Sequence, residues 1–145
     1  MEISHILASK PSKIVSVKRS SSIRTAVSLL AEYRIGALIV RDEAGDLCGI
    51  LSERDIVRWI AKNEDVLAQA VGDVMTGDVV VGVPQDDIIS VAHVMTERRF
   101  RHLPVIDDNG TVIGMISIGD VMKAQRDEYR GEIDTLETQI MAGEE

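Results

Sequence analysis

Aromatic side chains are nearly missing from this 145-residue chain, which has one Trp, two Tyr and one Phe, 3% of the sequence. Its interior must therefore be packed by Val, Ile, Leu and Met, and a platform on which several bases stack is not to be expected. Cationic excess is missing too. Sixteen Lys and Arg stand against 24 Asp and Glu, a formal charge of −8, and a field of that sign repels nucleic-acid backbones and anionic membranes. The single cysteine, Cys48, can close no intrachain disulfide and fits a reducing compartment. His5, His93 and His102 show no spacing with it or with one another that suits a metal ion. No apolar run approaches 18 residues, and Met1-Glu2-Ile3-Ser4-His5 lacks the basic start of a signal peptide. The glycine signatures of phosphate loops and dinucleotide folds are absent, and neither Ser52 nor Ser117 has a His in a recognisable nucleophile motif. The expectation is a soluble, cytoplasmic, non-enzymatic protein with no metal, nucleic acid or membrane partner.

What the sequence does have is a repeat. Shifted by 65 positions without a gap, residues 14–58 align with 79–123 and 11 of 45 positions are identical, where average composition gives roughly three. The identities gather at turns and element ends, among them Arg34/Arg99, Asp42/Asp107, Gly45/Gly110, Gly49/Gly114, Ser52/Ser117 and Asp55/Asp120. Each copy predicts the same series of elements. A β run (14–17 and 79–83) leads to a helix capped by Ser22 or Asp87, with Ile23, Ala26, Val27 and Leu30 or Ile88, Val91, Val94 and Met95 at helical spacing. Two β runs follow, 37–41 with 47–51 and 103–106 with 112–116, joined by Asp42-Glu43-Ala44-Gly45 and Asp107-Asp108-Asn109-Gly110. A second helix opens at Ser52 or Ser117.

The fold class is thus α/β (α+β), β-α-β-β-α twice. One unit of about 50 residues buries too little surface to be secure alone, so the copies are expected to pack sheet to sheet with pseudo-two-fold symmetry. The boundaries read as 1–65 for the first repeat, 66–125 for the second and 126–145 for a C-terminal helical tail. Residues 61–74 read as a helical connector, since Ala61, Val66, Leu67, Ala70, Val71 and Val74 are apolar and no Pro interrupts them.

The sharpest recurring motif is Gly-x-x-Ser-x-x-Asp, Gly49 to Asp55 and Gly114 to Asp120, where a strand closes and a helix opens. Two readings fit it. A Ser followed three residues later by an acid is a capping-box pattern that satisfies orphan amides at a helix start. Alternatively, Gly admits a ligand to the backbone, the helix N-terminus attracts phosphate, and a carboxylate one turn in can accept both hydroxyls of a ribose.

The repeat, this motif and the hydrophobic-Pro approach in Arg101-His102-Leu103-Pro104-Val105 resemble a tandem pair of cystathionine beta-synthase (CBS) domains, over about residues 3 to 125. The resemblance implies adenine nucleotides or adenosyl ligands in the cleft between the copies, with Asp55 and Asp120 on the ribose and Ser52 and Ser117 near the phosphate. It places Ile50 and Met115 against the adenine. Val15 and Lys10 would read its edge in the Asp120 pocket, Val80 and Thr76 in the Asp55 pocket. Around the second strand of each copy it adds Ile35, Gly36 and Ala37, and Phe100, Arg101, His102 and Pro104. Because Arg101 and His102 stand where the first copy has Gly36 and Ala37, the Asp120 pocket is expected to be the better monophosphate site. Arg54 could compensate in the other pocket, and Arg101 could face both. Together with Arg98 and Arg99 these residues also make a basic cluster, read as a solvated helix end or an anion contact. The implied function is a regulatory module sensing AMP, with NAD, NADH or ATP as further ligands and no catalytic cofactor, and signalling to an unknown regulated protein. The alternative is a ligand-free dimerisation scaffold. In the tail, Tyr129, Ile133, Leu136 and Ile140 fall on one helical stripe, which needs either the chain's own core or the second copy of a homodimer.

Overall fold

The computed structural model describes residues 1–10, 13–63 and 65–143. A short helix, α1 (Ile3–Ser9), precedes the first repeat, which consists of β1 (Ser16–Lys18), α2 (Ile23–Tyr33), β2 (Ala37–Arg41), β3 (Leu47–Ser52) and α3 (Glu53–Ile60). A single tight turn at Val66–Ala68 and the one-turn α4 (Val71–Val74) lead to α5 (Ile88–Arg98), β4 (His102–Ile106), β5 (Val112–Ser117) and α6 (Ile118–Gly143). The 65-residue offset carries into the geometry. β2 pairs with β3 from Ala37↔Ser52 to Val40↔Gly49, and β4 with β5 from His102↔Ser117 to Val105↔Gly114. Each ladder has its irregularity at the same place, Val40/Arg41 and Val105/Ile106. Ser22 accepts the Thr25 amide at the start of α2, and Asp87 accepts that of Ser90 at the start of α5. Both helices end on an arginine in the left-handed region, Arg34 at φ 52° and Arg99 at φ 57°. The hairpin glycines, Gly45 and Gly110, have φ of 87° and 79°, a conformation that a side chain would strain. The repeated identities are therefore backbone requirements.

The first strand breaks the symmetry. β1 runs parallel to β2 from Ser16↔Ile39 to Lys18↔Arg41, whereas the run expected over 79–83 makes one parallel bridge, Gly82↔Val105. Two prolines account for the difference. In the first copy the Ile39 amide donates to Val15 O and the Arg19 amide to Arg41 O. Pro104 and Pro84 stand 65 positions further on and have no N–H to donate. The result is a three-stranded sheet, β1-β2-β3, and a two-stranded one, β4-β5.

Each copy has its own apolar core, and packing does not follow chain order. Val17, Ile23, Leu38 and Leu51 are joined by Val66, Val71 and Val74. Ile88, Met95, Leu103, Ile116 and Val121 are joined by Ile3 and Ile6 of α1. Each such fully buried side chain contributes about 1.5–3 kcal/mol. The connector is not the continuous helix that its apolar content suggested. Gln69 and Ala70 are extended because the Ile23 amide donates to Gln69 O and the Val71 amide to Ser21 O, both at 2.8 Å. Ala37 and Ile39 are fully buried yet belong to neither core, and Pro104 holds the matching buried position on β4.

The tail expected over 126–145 is continuous with α6, which buries only Val121 among its described residues. Tyr129, Ile133, Leu136 and Ile140 are each more than half exposed, so the stripe does not pack on the chain's own core. Glu144 and Glu145 lie outside the described residues. Among the described residues, no helix is long and apolar enough to cross a membrane.

Candidate functional site

Where β3 turns into α3, Ser52 Oγ accepts the Asp55 amide at 3.2 Å and Asp55 Oδ2 accepts the Ser52 amide at 3.0 Å. Ser117 and Asp120 repeat the exchange at 3.1 and 2.8 Å. The capping reading of the motif is thus realised in both copies, worth about 1 kcal/mol for each cap. It leaves acceptor capacity over. Asp55 Oδ1 meets the Thr76 hydroxyl at 3.4 Å, a distance too long to engage it fully.

Asp55 opens onto a cleft of about 560 Å³, within the range of small-molecule sites. One wall is Ile50, Ser52, Arg54, Asp55 and Arg58, carried by β3 and α3. Facing it are Thr76, Asp78, Val79 and Val80, the end of α5 with Phe100, Arg101 and His102, and Ser117 with Ile118; Gly36 closes the set. Local bonding fixes these pieces. Ile50 and Thr76 exchange backbone hydrogen bonds of 3.0 and 2.8 Å. The amide of Glu53 donates to Gly36 O, and in the symmetric place the amide of Ile118 donates to Arg101 O. Arg54, Arg58, Arg98, Arg99 and Arg101 surround the cleft against three acids, Glu53, Asp55 and Asp78. The site is locally cationic on an anionic chain, which favours a phosphorylated ligand. His102 is partly buried. Desolvation lowers its pKa below the ordinary 6.5; Glu53 opposes the shift, while Lys10 and Arg101 reinforce it. Burial thus favours the neutral imidazole.

The Asp120 side is built differently. Lys10 Nζ donates to Asp120 Oδ2 at 2.7 Å and to Met115 O at 2.8 Å. Burial would raise the Asp120 carboxyl, but the hydrogen bonds from Lys10 and from the Ser117 amide hold it below its ordinary 3.8.

The residues singled out in the sequence separate into four places. Gly36, Ile50, Ser52, Arg54, Asp55, Thr76, Val80, Phe100, Arg101, His102 and Ser117 line the Asp55 cleft. Lys10, Met115 and Asp120 lie together on the other side. Val15 and Ile35 pack on the first core, and Ala37 and Pro104 are buried in their strands; none of the four lines the cleft. Arg101 and His102, expected chiefly at the Asp120 pocket, line the Asp55 cleft together with Ser117, and His102 also feels the charges of Lys10 and Asp120. The pseudo-two-fold axis sets the strand entry of one copy against the Ser-Asp motif of the other. Glu53, Arg58, Asp78 and Val79 also line the cleft and were not singled out. Arg58 could have been found as the i+4 neighbour of Arg54 on one helical face, whereas Asp78 gave no signal.

The CBS domain profile matches residues 3–62 and again 71–127. A mitochondrial CBS domain-containing protein of Arabidopsis thaliana, CBSX3, is 36% identical over 127 residues, 84% of this chain and 61% of that protein. The chain thus spans less than two thirds of that relative's length. The crystal structure of a CBS-domain containing protein from Agrobacterium tumefaciens is similar at TM-score 0.81 and 38% identity, over 86% of this chain and 92% of that one. A CBS domain protein from Pyrobaculum aerophilum, complexed with AMP, is similar at TM-score 0.75 and 25% identity, over 83% and 89% of the two chains. With both halves matched by one profile and the paired architecture shared, this chain belongs to the CBS domain family as a tandem pair.

Proposed function

We propose that the chain is a non-catalytic regulatory module that binds an adenine nucleotide, AMP first among them, in the cleft beside Asp55. One observation carries this reading. A carboxylate at a helix entrance uses one oxygen for the cap and keeps the other for the cleft, while arginines flank the same space. In the bound state Asp55 accepts the ribose hydroxyls and Ile50, Val80 and Phe100 enclose the base. Arg54 and Arg101 meet the phosphate. The cleft volume of about 560 Å³ also leaves room for ATP or NADH. The Pyrobaculum relative complexed with AMP supports the ligand class.

The exposed stripe on α6 supports a homodimer, and the partly exposed single Cys48 fits a cytoplasmic setting. Ligand binding signals to a separate regulated protein only if two arrangements of the repeats or protomers differ in affinity for it.

Calorimetric titration and thermal unfolding with AMP, ATP, NADH and S-adenosylmethionine test the reading. A nucleotide at a hundred times its Kd adds about 2.7 kcal/mol of stability. No heat and no shift with any of the four favours the dimerisation scaffold. Chromatographic detection of a converted nucleotide would overturn the non-catalytic assignment.

A further inference from the structure

We propose that Lys10 is a tethered cation that closes the second ribose site, so that the chain binds one nucleotide, at Asp55. The proposal rests on the adenine-nucleotide reading of the cleft and concerns which of two symmetric sites is open.

Symmetry alone supplies two equal sites. The motifs are identical at Gly, Ser and Asp, and both carboxylates make the same reciprocal cap. What differs is the third partner. The Asp55 carboxylate meets a neutral hydroxyl at 3.4 Å, while Asp120 meets an ammonium at 2.7 Å. Lys10 also donates to Met115 O at 2.8 Å, the carbonyl matching that of Ile50, which accepts the Thr76 amide at the same distance. Its ammonium therefore bridges the motif carboxylate, on the oxygen that also accepts the Ser117 amide, and the strand carbonyl beside it, and puts a charge in the space where a nucleoside would be gripped.

The repeat pattern does not supply this cation. Residue 75, the position 65 further on, is Met, whose side chain lies beside Gly49. Lys10 is instead delivered by α1, whose C-cap it forms and whose Ile3 and Ile6 are anchored in the second core. An anchored donor competes as an intramolecular ligand at high effective concentration. Ribose hydroxyls are neutral donors, whereas the ammonium adds the attraction of opposite charges to its hydrogen bond with the carboxylate. A nucleotide that displaces the ammonium from Asp120 gives up that charged hydrogen bond, a handicap of about ten- to a hundredfold in affinity.

The test is the stoichiometry of AMP binding by calorimetry. The wild-type chain is expected to bind one AMP, and Asp55→Ala is expected to weaken it by about a hundredfold, beyond detection at the same concentrations. Lys10→Met removes the charge at similar length and is expected to bind two, the second site remaining in the Lys10→Met/Asp55→Ala double variant. Lys10→Arg, which keeps the cation, is expected to stay at one. Two sites of similar affinity in wild type overturn the proposal, as does wild-type binding that survives Asp55→Ala. One site in a folded Lys10→Met also overturns it while leaving the nucleotide reading intact. Should Lys10→Met fail to fold, the wild-type count and the Asp55→Ala result still decide. No AMP binding by wild type or by Lys10→Met defeats the underlying nucleotide reading itself.

Discussion

Replacing Asp55 by Ala separates the two jobs assigned to one carboxylate. The first is structural. Asp55 Oδ2 accepts the Ser52 amide at 3.0 Å, and losing an N-terminal cap contact costs about 1 kcal/mol. For a chain of this size that lowers Tm by about 3–4 °C. The second is ligand binding. Two ribose hydroxyls donating to a charged acceptor are worth about 1.5 kcal/mol each at the lower end, suited to a partly exposed group. Their joint loss of about 3 kcal/mol raises Kd by about a hundredfold. Asp55→Asn is the control. It keeps an oxygen for the Ser52 amide and loses the charge, so it should hold Tm nearly constant while weakening AMP by about tenfold. Differential scanning calorimetry and titration calorimetry on the same samples read the two effects apart. If Asp55→Ala lowers Tm as stated but leaves AMP affinity within a factor of three, the carboxylate is only a cap and the ribose assignment is wrong.

Four other outcomes follow from the same structure. Folding lowers the pKa of His102 by burial, so the unfolded chain takes the proton more readily. Stability should fall as pH drops below 6.5 and level off beneath the folded value, and urea titrations of His102→Gln should lose that limb. A phosphate beside His102 favours its protonated form, so AMP should bind more tightly at pH 6 than at pH 8, and the pH slope should shrink in the same variant. Gly49 and Gly114 are symmetry mates with unequal surroundings. A Cβ on Gly49 would lie 2.9 Å from Thr76 O, whereas one on Gly114 would meet the movable tip of Leu7. Gly49→Ala should therefore cost about 1–3 kcal/mol by chemical denaturation and Gly114→Ala clearly less. Replacing Ile133 and Leu136 by Glu should convert a dimer to a monomer in light scattering; a monomeric wild type at high micromolar concentration refutes the role given to the tail.

The fold was legible where backbone demands dictate residue type. Glycines at positive φ, Asp at turn starts, Ser or Asp at caps and alternating aliphatics marked both hairpins and the starts of their helices to within a residue. The shortened first strand of the second copy was legible only in retrospect. Its cause lies in two N–H groups that Pro84 and Pro104 do not have, and the absence matters only once the pairing register is known. The connector misled because Val66, Val71 and Val74 are apolar for packing, while the extended Gln69 and Ala70 answer to backbone bonds with the start of α2. In the site, the motif marked both carboxylates, but which wall carries Arg101 depends on how the halves face each other. No local pattern encodes that. Nor does one reveal the grip of Lys10 on Asp120, since the partners are 110 positions apart.

The unbroken run of α6 from Ile118 to Gly143 gives the molecule a lever. Its root adjoins the cleft, where Ser117 and Ile118 form part of the wall, and its 26 residues span about 39 Å at 1.5 Å per residue. A tilt of about 5° at the root, far smaller than a rotamer change, would swing the distal end by about 3 Å on that arm. A stiff rod thus turns a displacement comparable with thermal motion inside a pocket into one that a docked protein can read.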